Sequence, residues 1–223
     1  MYLVTGANVG IGYEAAAQLA RQNATVVLAC RDATRGGNAA ASIRDAVPAA
    51  HVETLALDLA SLASVRAAAA EFKGQHDRLD GLINNGGVMI PPYGTTVEGV
   101  ELQMGVNHVG HFLLTNLLLD TLTASAPSRV VIVASRAHEM GQLDAADVRL
   151  HTPPSDYGMG AAAYGRSKLA NILHARELAR RLAGTGVTAV SLHPGTVATG
   201  AFGRLPAVGT TASHPPFTPP ITH

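Results

Sequence analysis

Two residues in the second half of the chain have the type and spacing to move a proton. Tyr164 and Lys168 stand four apart in AYGRSKLAN, which places both side chains on one face of a helix. A phenol of pKa about 10 is a poor base at neutral pH, but a neighbouring ammonium stabilises the phenolate and lowers that pKa. The pair suggests an acid/base dyad, although the same spacing is also typical of a solvated helix face.

A glycine-rich stretch near the start of the chain has the spacing to hold a phosphate. TGANVGIG, residues 5 to 12, follows three apolar residues. Gly6 would let the chain turn sharply off a strand, Gly10 would let the backbone approach an anion, and Gly12 would let the next helix pack closely. The free N–H groups at the start of that helix suit a pyrophosphate. A plain strand-to-helix turn is the alternative, and the lack of a following Gly-Lys-Ser/Thr excludes a Walker A loop.

The stretch VVLACRD bears on the choice of dinucleotide. In dinucleotide sites an acid at the end of the second strand takes the ribose hydroxyls, whereas a basic residue accommodates a 2′-phosphate. Here Cys30 occupies the position of the acid and Arg31 follows it, which favours NADP(H) through a guanidinium–phosphate pair. The alternative is a surface arginine, with Asp32 as the ribose acid.

The hydrophobic pattern predicts the scaffold that positions these groups. Short apolar runs alternate with alanine-rich segments of helical spacing, which indicates β-α-β units around a buried parallel sheet. The predicted strands are residues 2–5, 25–30, 52–57, 79–84, 129–134 and 187–193, and the predicted helices are residues 10–22, 35–47, 62–73, 96–122 and 161–183. Ser61 is the predicted N-cap of the third helix.

Taken together, the motifs resemble the short-chain dehydrogenase/reductase family. They occur in its order and at about its spacings: TGANVGIG, the NNGG of residues 84–87, Asn107 in MGVNHVGH, Ser135 in RVVIVASRAH, YGRSK and the HPGTVAT of residues 193–199. The resemblance covers positions 2 to about 203, and CRD, SLASV and GVNHVGHFLLT look like the retinol-dehydrogenase and WW-domain-oxidoreductase-like branch. It implies an α/β, Rossmann-type doubly wound parallel sheet of order 3-2-1-4-5-6, with helices on both faces; the family's seventh strand is not expected here, because the proline-rich last residues cannot form it.

The resemblance also implies four catalytic roles. Tyr164 would be the general acid/base, and Ser135 would hydrogen-bond the same substrate oxygen. Lys168 would hold the nicotinamide ribose and lower the pKa of the tyrosine. Asn107 would support a water that links the lysine to solvent, unless it is an ordinary mid-helix residue.

A larger set would bind the cofactor, NADP(H) in preference to NAD(H). Asp58 would contact the adenine, with a helix cap as its alternative, and Thr199 would face the nicotinamide, with a loop hydroxyl as its alternative. The full set is Gly6, Asn8, Gly10, Ile11, Gly12, Arg31, Asp58, Leu59, Asn85, Gly86, Gly87, Tyr164, Lys168, Pro194, Gly195, Thr196 and Thr199.

The chain departs from the family pattern in two places. NNGG replaces the usual NNAG, so Gly86 stands where the family has alanine. Residues 203–223 contain five prolines and no sustained period, which predicts a disordered tail behind a single domain of residues 1–202 and a truncated substrate-covering segment.

Composition limits the remaining function classes. The 223 residues have a formal charge of +0 and one cysteine, so nucleic-acid binding is disfavoured and a cytoplasmic protein is predicted. His108 and His111 lie three apart but lack a third ligand, so no metal is predicted. The predicted function is an NADP(H)-dependent oxidoreductase that interconverts a carbonyl and an alcohol on a small or lipophilic substrate. A homodimer through the helix that carries Tyr164 is also predicted. The alternative is a catalytically impaired nucleotide-binding or interaction protein.

Overall fold

Six parallel strands form the sheet in residues 1–144 and 152–195, which are the residues that the computed structural model describes. Their order is β3-β2-β1-β4-β5-β6, so the predicted Rossmann-type order is confirmed. The strands are β1 (Tyr2–Thr5), β2 (Val26–Cys30), β3 (Val52–Ala56), β4 (Gly81–Asn84), β5 (Ser128–Val133) and β6 (Val187–Leu192).

Helices cover both faces of this sheet. The α-helices are α1 (Gly10–Arg21), α2 (Ala33–Ala46), α3 (Leu62–Gln75), α4 (Leu102–Met104), α5 (Gly110–Ala124), α6 (Pro154–Tyr157) and α7 (Ala161–Arg181). A π-helical turn, Gly105–Val109, joins α4 to α5, and a 3-10 helix, Arg136–Met140, follows β5. Ser61 caps α3 as predicted, since its side chain accepts a hydrogen bond from the Ser64 N–H.

The helix predicted at residues 96–122 begins later than expected. Thr96 and Val100 instead close a turn in which Gly99 has a φ of +80°. The helix starts at Leu102 because the Glu101 carboxylate caps it, accepting the first free N–H groups.

The alternation of each strand divides the core between the two faces. Leu3 and Leu82 face α3, α5 and α7, where they pack in one buried cluster with Phe72, Leu118 and Leu178. Neighbouring strand residues point the opposite way: Val4, Val26 and Leu28 pack against alanines of α1 and against Ile43 of α2. With β1 held between β2 and β4, the loops after β1 and β4 diverge at the carboxyl edge of the sheet, where ligands bind in this class of fold.

The predicted domain end at residue 202 and the predicted tail of residues 203–223 lie outside the described residues, as do Thr196 and Thr199. Among the residues that are described, no helix is both long enough and apolar enough to cross a membrane.

Candidate functional site

A cleft of about 720 Å³ opens at the carboxyl edge of the sheet. Twelve of the predicted site residues line it: Gly6, Asn8, Gly10, Ile11, Asn85, Gly86, Gly87, Ser135, Tyr164, Lys168, Pro194 and Gly195. Sequence reasoning missed other lining residues, notably Val88, Met89, Arg136, Glu139, Met140 and His193. Their signal was available, since each stands within five residues of a predicted motif on the same loop.

The glycine turn has the close packing that its sequence predicts. Gly6 has a φ of +63°, and a Cβ there would lie 2.7 Å from the Gly86 Cα. Gly12 is buried behind the turn, where a side chain would overlap the Asn85 amide. Helix α1 begins at Gly10 with no side-chain cap and no acidic residue in its first turn, so its free N–H groups face the cleft and suit a phosphate.

Hydrogen bonds of Thr5 connect the turn to the loop after β4, and a buried histidine orients the Thr5 hydroxyl. The Thr5 hydroxyl accepts hydrogen bonds from the N–H groups of Asn85 and Gly86, both at 2.9 Å, and lies 2.8 Å from His111 Nε2. His111 Nδ1 lies 3.0 Å from the Asn107 carbonyl oxygen, so Nδ1 carries the proton and Nε2 accepts the Thr5 hydroxyl. Burial lowers the pKa of His111 to about 3, which keeps the ring neutral. This histidine, considered above as a metal ligand, is a structural tie.

At the end of β2, Cys30 is buried and Arg31 is exposed. Burial raises the pKa of the Cys30 thiol, and hydrogen bonds with the backbone of Ala7 and Asn8 oppose the shift. Asp32, the alternative ribose acid, caps α2 by accepting the Arg35 N–H at 2.9 Å. Arg31 does not line the cleft, whereas its neighbour Cys30 contacts the backbone of Ala7 and Asn8 in the glycine turn.

Asp58 and Leu59 follow β3 and do not line the cleft. One Asp58 oxygen accepts the Ala60 N–H at 2.9 Å, an Asx turn rather than the helix cap considered above, because Ser61 is the cap. Leu59 is 8% exposed and supports the floor beneath Gly86, where its Cδ1 lies 3.0 Å from the position of an added Cβ.

Ser135 and Tyr164 both line the cleft. Ser135 follows β5 and caps the 3-10 helix, and hydrogen bonding with its hydroxyl acts to lower the pKa of the Tyr164 phenol. The two elements touch backbone to backbone, because a Cβ on Gly165 would lie 2.5 Å from the Ala137 carbonyl oxygen. Glycine directly after the tyrosine therefore permits the approach of serine to phenol.

Lys168 lies one helical turn beyond Tyr164 and is 5% exposed. Its Nζ donates to the Val133 carbonyl oxygen at 3.1 Å and stands 5.6 Å from the centroid of the Tyr164 ring. Burial lowers the pKa of Lys168 to about 8. Burial also raises the pKa of the Tyr164 phenol, opposed by the Ser135 hydrogen bond. In the protein alone the phenol pKa is therefore raised and not lowered as expected, because desolvation is the largest cause of its shift.

Asn107 is fully buried in the π-helical turn and does not line the cleft. Its amide oxygen accepts the Val88 N–H at 2.8 Å, and its Nδ2 donates to the Val88 carbonyl and to the Ser167 hydroxyl, both at 3.0 Å. The structure therefore gives Asn107 bracing contacts between the loop after β4 and helix α7. Among the described residues, no group of three or more His, Cys, Asp or Glu side chains is placed to hold a metal.

Comparison with known proteins identifies the family that carries this arrangement. A sequence model of short chain dehydrogenases matches residues 1–146. The chain belongs to the short chain dehydrogenase family. Human (Homo sapiens) retinol dehydrogenase 13 is 50% identical to it over 197 residues, which are 88% of this chain and 59% of that protein. Retinol dehydrogenase 12 of Mus musculus is 50% identical over 196 residues, 87% of this chain and 60% of that protein.

These relatives confirm the retinol-dehydrogenase-like branch of the short chain dehydrogenases, and the chain spans 59% and 60% of their lengths. Solved structures agree in fold. An uncharacterized protein from Mycobacterium paratuberculosis is 43% identical, with a TM-score of 0.73 over 87% of this chain and 67% of that one. A short-chain dehydrogenase from Sphingobium yanoikuyae in complex with NADPH is 27% identical, with a TM-score of 0.72 over 91% of this chain and 73% of that one.

Proposed function

We propose that this chain is an NADP(H)-dependent oxidoreductase that interconverts a carbonyl and an alcohol on a small or lipophilic substrate, retinoid-like, steroid-like or aromatic. One observation carries the proposal: Tyr164, Ser135 and Lys168 line the same cleft as the glycine turn, with the Lys168 Nζ 5.6 Å from the centroid of the Tyr164 ring. The two retinol dehydrogenases and the NADPH complex described above support it by similarity.

The residues fit a nicotinamide dinucleotide, whose chemistry is to give or take a hydride at the substrate carbon. The uncapped start of α1 and the glycine turn would hold its pyrophosphate, and Arg31 would hold a 2′-phosphate. Asp58 and Leu59 would take the adenine side, and Pro194 to Thr196 with Thr199 the nicotinamide side.

In the reducing direction, Tyr164 gives its phenol proton to the carbonyl oxygen, and in the oxidising direction it takes that proton back. Ser135 donates a hydrogen bond to the same oxygen and so stabilises the charge that develops there. The raised pKa of Tyr164 keeps the phenol protonated at neutral pH, which suits reduction. The Lys168 ammonium stabilises the phenolate that remains, and Asn107 holds the helix that carries both residues.

The apolar part of the cleft supports a lipophilic substrate. Val88, Met89 and Met140 line it together with Tyr164, and Met140 is 59% exposed on its rim. Methionine side chains adapt to apolar ligands of irregular shape.

Cofactor choice is tested by titrating NADPH and NADH into wild type, Arg31→Ala and the charge-matched control Arg21→Ala, whose arginine ends α1 at the opposite edge of the sheet. We expect a preference for NADPH that Arg31→Ala loses and Arg21→Ala keeps. Equal affinities in wild type would overturn the role of Arg31. Turnover is followed by the absorbance of the reduced nicotinamide with retinal and with small aromatic aldehydes.

A second candidate is a nucleotide-binding or interaction protein without turnover. Val190 and Leu192 favour it, because they are 43% and 42% exposed on β6, the edge strand of the described sheet. It predicts dinucleotide binding, no reduction of either class of carbonyl, and no measurable effect of Tyr164→Phe.

A homodimer through α7 is part of the proposal. Leu173 of α7 and Phe112 of α5 are 44% and 48% exposed on the outer side of these helices, and apolar groups of this size are typical of helix-to-helix interfaces. Sedimentation velocity of wild type and Leu173→Glu tests it: a monomer in both excludes this interface.

A further inference from the structure

A buried amide ties the loop after β4 to the start of the helix that carries Tyr164. Gln103, in α4, is 0% exposed. Its Oε1 accepts the Ile90 N–H at 2.8 Å, and its Nε2 donates to the Gly160 carbonyl at 2.8 Å and to the Tyr157 hydroxyl at 3.1 Å. One side chain therefore connects the segment after β4 to the residue that precedes α7.

The orientation of this amide is fixed by its partners. The Ile90 N–H faces one end of the amide and the Gly160 carbonyl faces the other. A flipped amide would place its N–H groups against the Ile90 N–H and its oxygen against the Gly160 carbonyl, so neither hydrogen bond could form. The Tyr157 hydroxyl in turn donates to the Pro91 carbonyl at 2.7 Å. The two amide hydrogens of Gln103 and the hydroxyl hydrogen of Tyr157 therefore all have acceptors, which makes the connection rigid.

The connection ends on the peptide unit that begins α7. Gly160 precedes the helix with a φ of +81°, and its carbonyl oxygen, which Gln103 bonds, also accepts the Tyr164 N–H at 2.9 Å. A second tether holds the other side of the tyrosine, since Asn107 donates to the Ser167 hydroxyl, which donates to the Tyr164 carbonyl at 2.8 Å. The backbone N–H and carbonyl of Tyr164 are thus both held from the segment that contains α4 and the π-helical turn.

We propose that Gln103 is a positioning residue, which sets the place of the Tyr164 phenol relative to Ser135 by fixing the first turn of α7 against the loop after β4. The inference rests on the proposed role of Tyr164 as proton donor. Gln103 does not line the cleft; it acts through Gly160, which lies about 6 Å before Tyr164 along the helix axis at 1.5 Å per residue. Displacing reacting groups by about 1 Å costs up to about a hundredfold in rate.

The test is Gln103→Met, which keeps a long unbranched side chain but removes the amide's hydrogen bonds to Ile90, Gly160 and Tyr157. The first readout needs no substrate: the ultraviolet titration of the Tyr164 phenol, isolated by subtracting the same protein with Tyr164→Phe. We expect its midpoint to move to higher pH, because separation from Ser135 removes the hydrogen bond that stabilises the phenolate. The second readout is kcat with NADPH and retinal, expected to fall about tenfold to a hundredfold while the affinity for NADPH is kept.

Ser128→Ala is the matched control, because it removes another buried side-chain hydrogen bond, that of the Ser128 hydroxyl to the Leu122 carbonyl at 2.7 Å, at the opposite edge of the sheet. It should lower the melting temperature without moving the titration or kcat. If Gln103→Met does not fold, Tyr157→Phe removes one arm of the same tether and should shift the titration in the same direction by less.

The outcomes separate the two proposals. An unchanged phenol titration in Gln103→Met, or an equal shift in Ser128→Ala, overturns the positioning role. Full activity of Tyr164→Phe, or no reduction of any carbonyl by wild type, overturns the proposed function and leaves the titration to decide on Gln103.

Discussion

The contact between α7 and the 3-10 helix gives the sharpest prediction about activity. Gly165→Ala would place a Cβ 2.5 Å from the Ala137 carbonyl oxygen and 3.1 Å from the Gly141 N. Both are backbone atoms, so no side-chain rotation can relieve the overlap. Real Cβ atoms essentially never approach within 3.0 Å, and the two elements must therefore separate by about half an ångström or more.

This separation moves Ser135 away from Tyr164, because Ser135 caps the 3-10 helix and Tyr164 adjoins the substituted residue. Overpacking of this kind costs about 1–3 kcal/mol of stability. We expect kcat for carbonyl reduction to fall about tenfold to a hundredfold. The affinity for NADPH should change little, since the glycine turn is built by β1 and α1.

The assay is steady-state reduction of retinal or benzaldehyde at saturating NADPH, together with a thermal melt. Gly74→Ala is the matched control, because this helical glycine in α3 has nothing within 4 Å of an added Cβ. That change should stabilise the protein by about 0.5–1 kcal/mol and leave kcat alone. A Gly165→Ala protein with the kcat of wild type would refute the argument that this contact sets the distance from serine to phenol.

Three further predictions concern pH and packing. The kcat/KM for carbonyl reduction should fall as pH rises through about 8, where the buried Lys168 loses its charge. If the same fall in kcat/KM near pH 8 persists in Lys168→Met, another group causes it. Burial lowers the pKa of His174 from 6.5 to about 4, so folding stability is full above pH 6.5 and lost as pH falls towards 4, by up to about 3 kcal/mol. Denaturant melts of His174→Phe should show a shallower loss, and an unchanged slope would contradict this cause. Gly86→Ala should stabilise by about 0.4–1 kcal/mol, because the Leu59 Cδ1, 3.0 Å from the new Cβ, can move aside, and the Gly6 N and Thr5 Oγ1 lie 3.3 Å from it; a lower melting temperature would contradict this.

Several elements could be read from the sequence because their signals are local. Strand β1 has its predicted bounds, Tyr2–Thr5, since a buried apolar run ends there at a glycine turn. The start of the helix predicted at residue 96 was wrong, because apolar periodicity continues through a turn that Gly99 and the Glu101 cap close instead. Hydrophobic spacing cannot detect that the Glu101 carboxylate accepts the N–H groups two and three residues later and so fixes the start of the helix.

In the candidate site, too, local motifs could be read from the sequence, whereas contacts between distant residues could not. The motifs predicted twelve of the residues that line the cleft, but not the bond between Gln103 and Gly160, which are 57 residues apart and meet only in the folded chain. The direction of the Tyr164 pKa shift was also missed. A spacing of four residues reveals that the ammonium is near, whereas the desolvation that raises the phenol pKa depends on the elements packed around it.

The central claim is that the Tyr164 phenol is the proton donor for a carbonyl. The most direct measurement is the single-turnover rate at which protein preloaded with NADPH reduces benzaldehyde or retinal, compared between wild type and Tyr164→Phe. Loss of a positioned general acid predicts a rate about a hundredfold to ten-thousandfold lower, with NADPH bound as tightly as before. Equal rates in the two proteins would contradict the account.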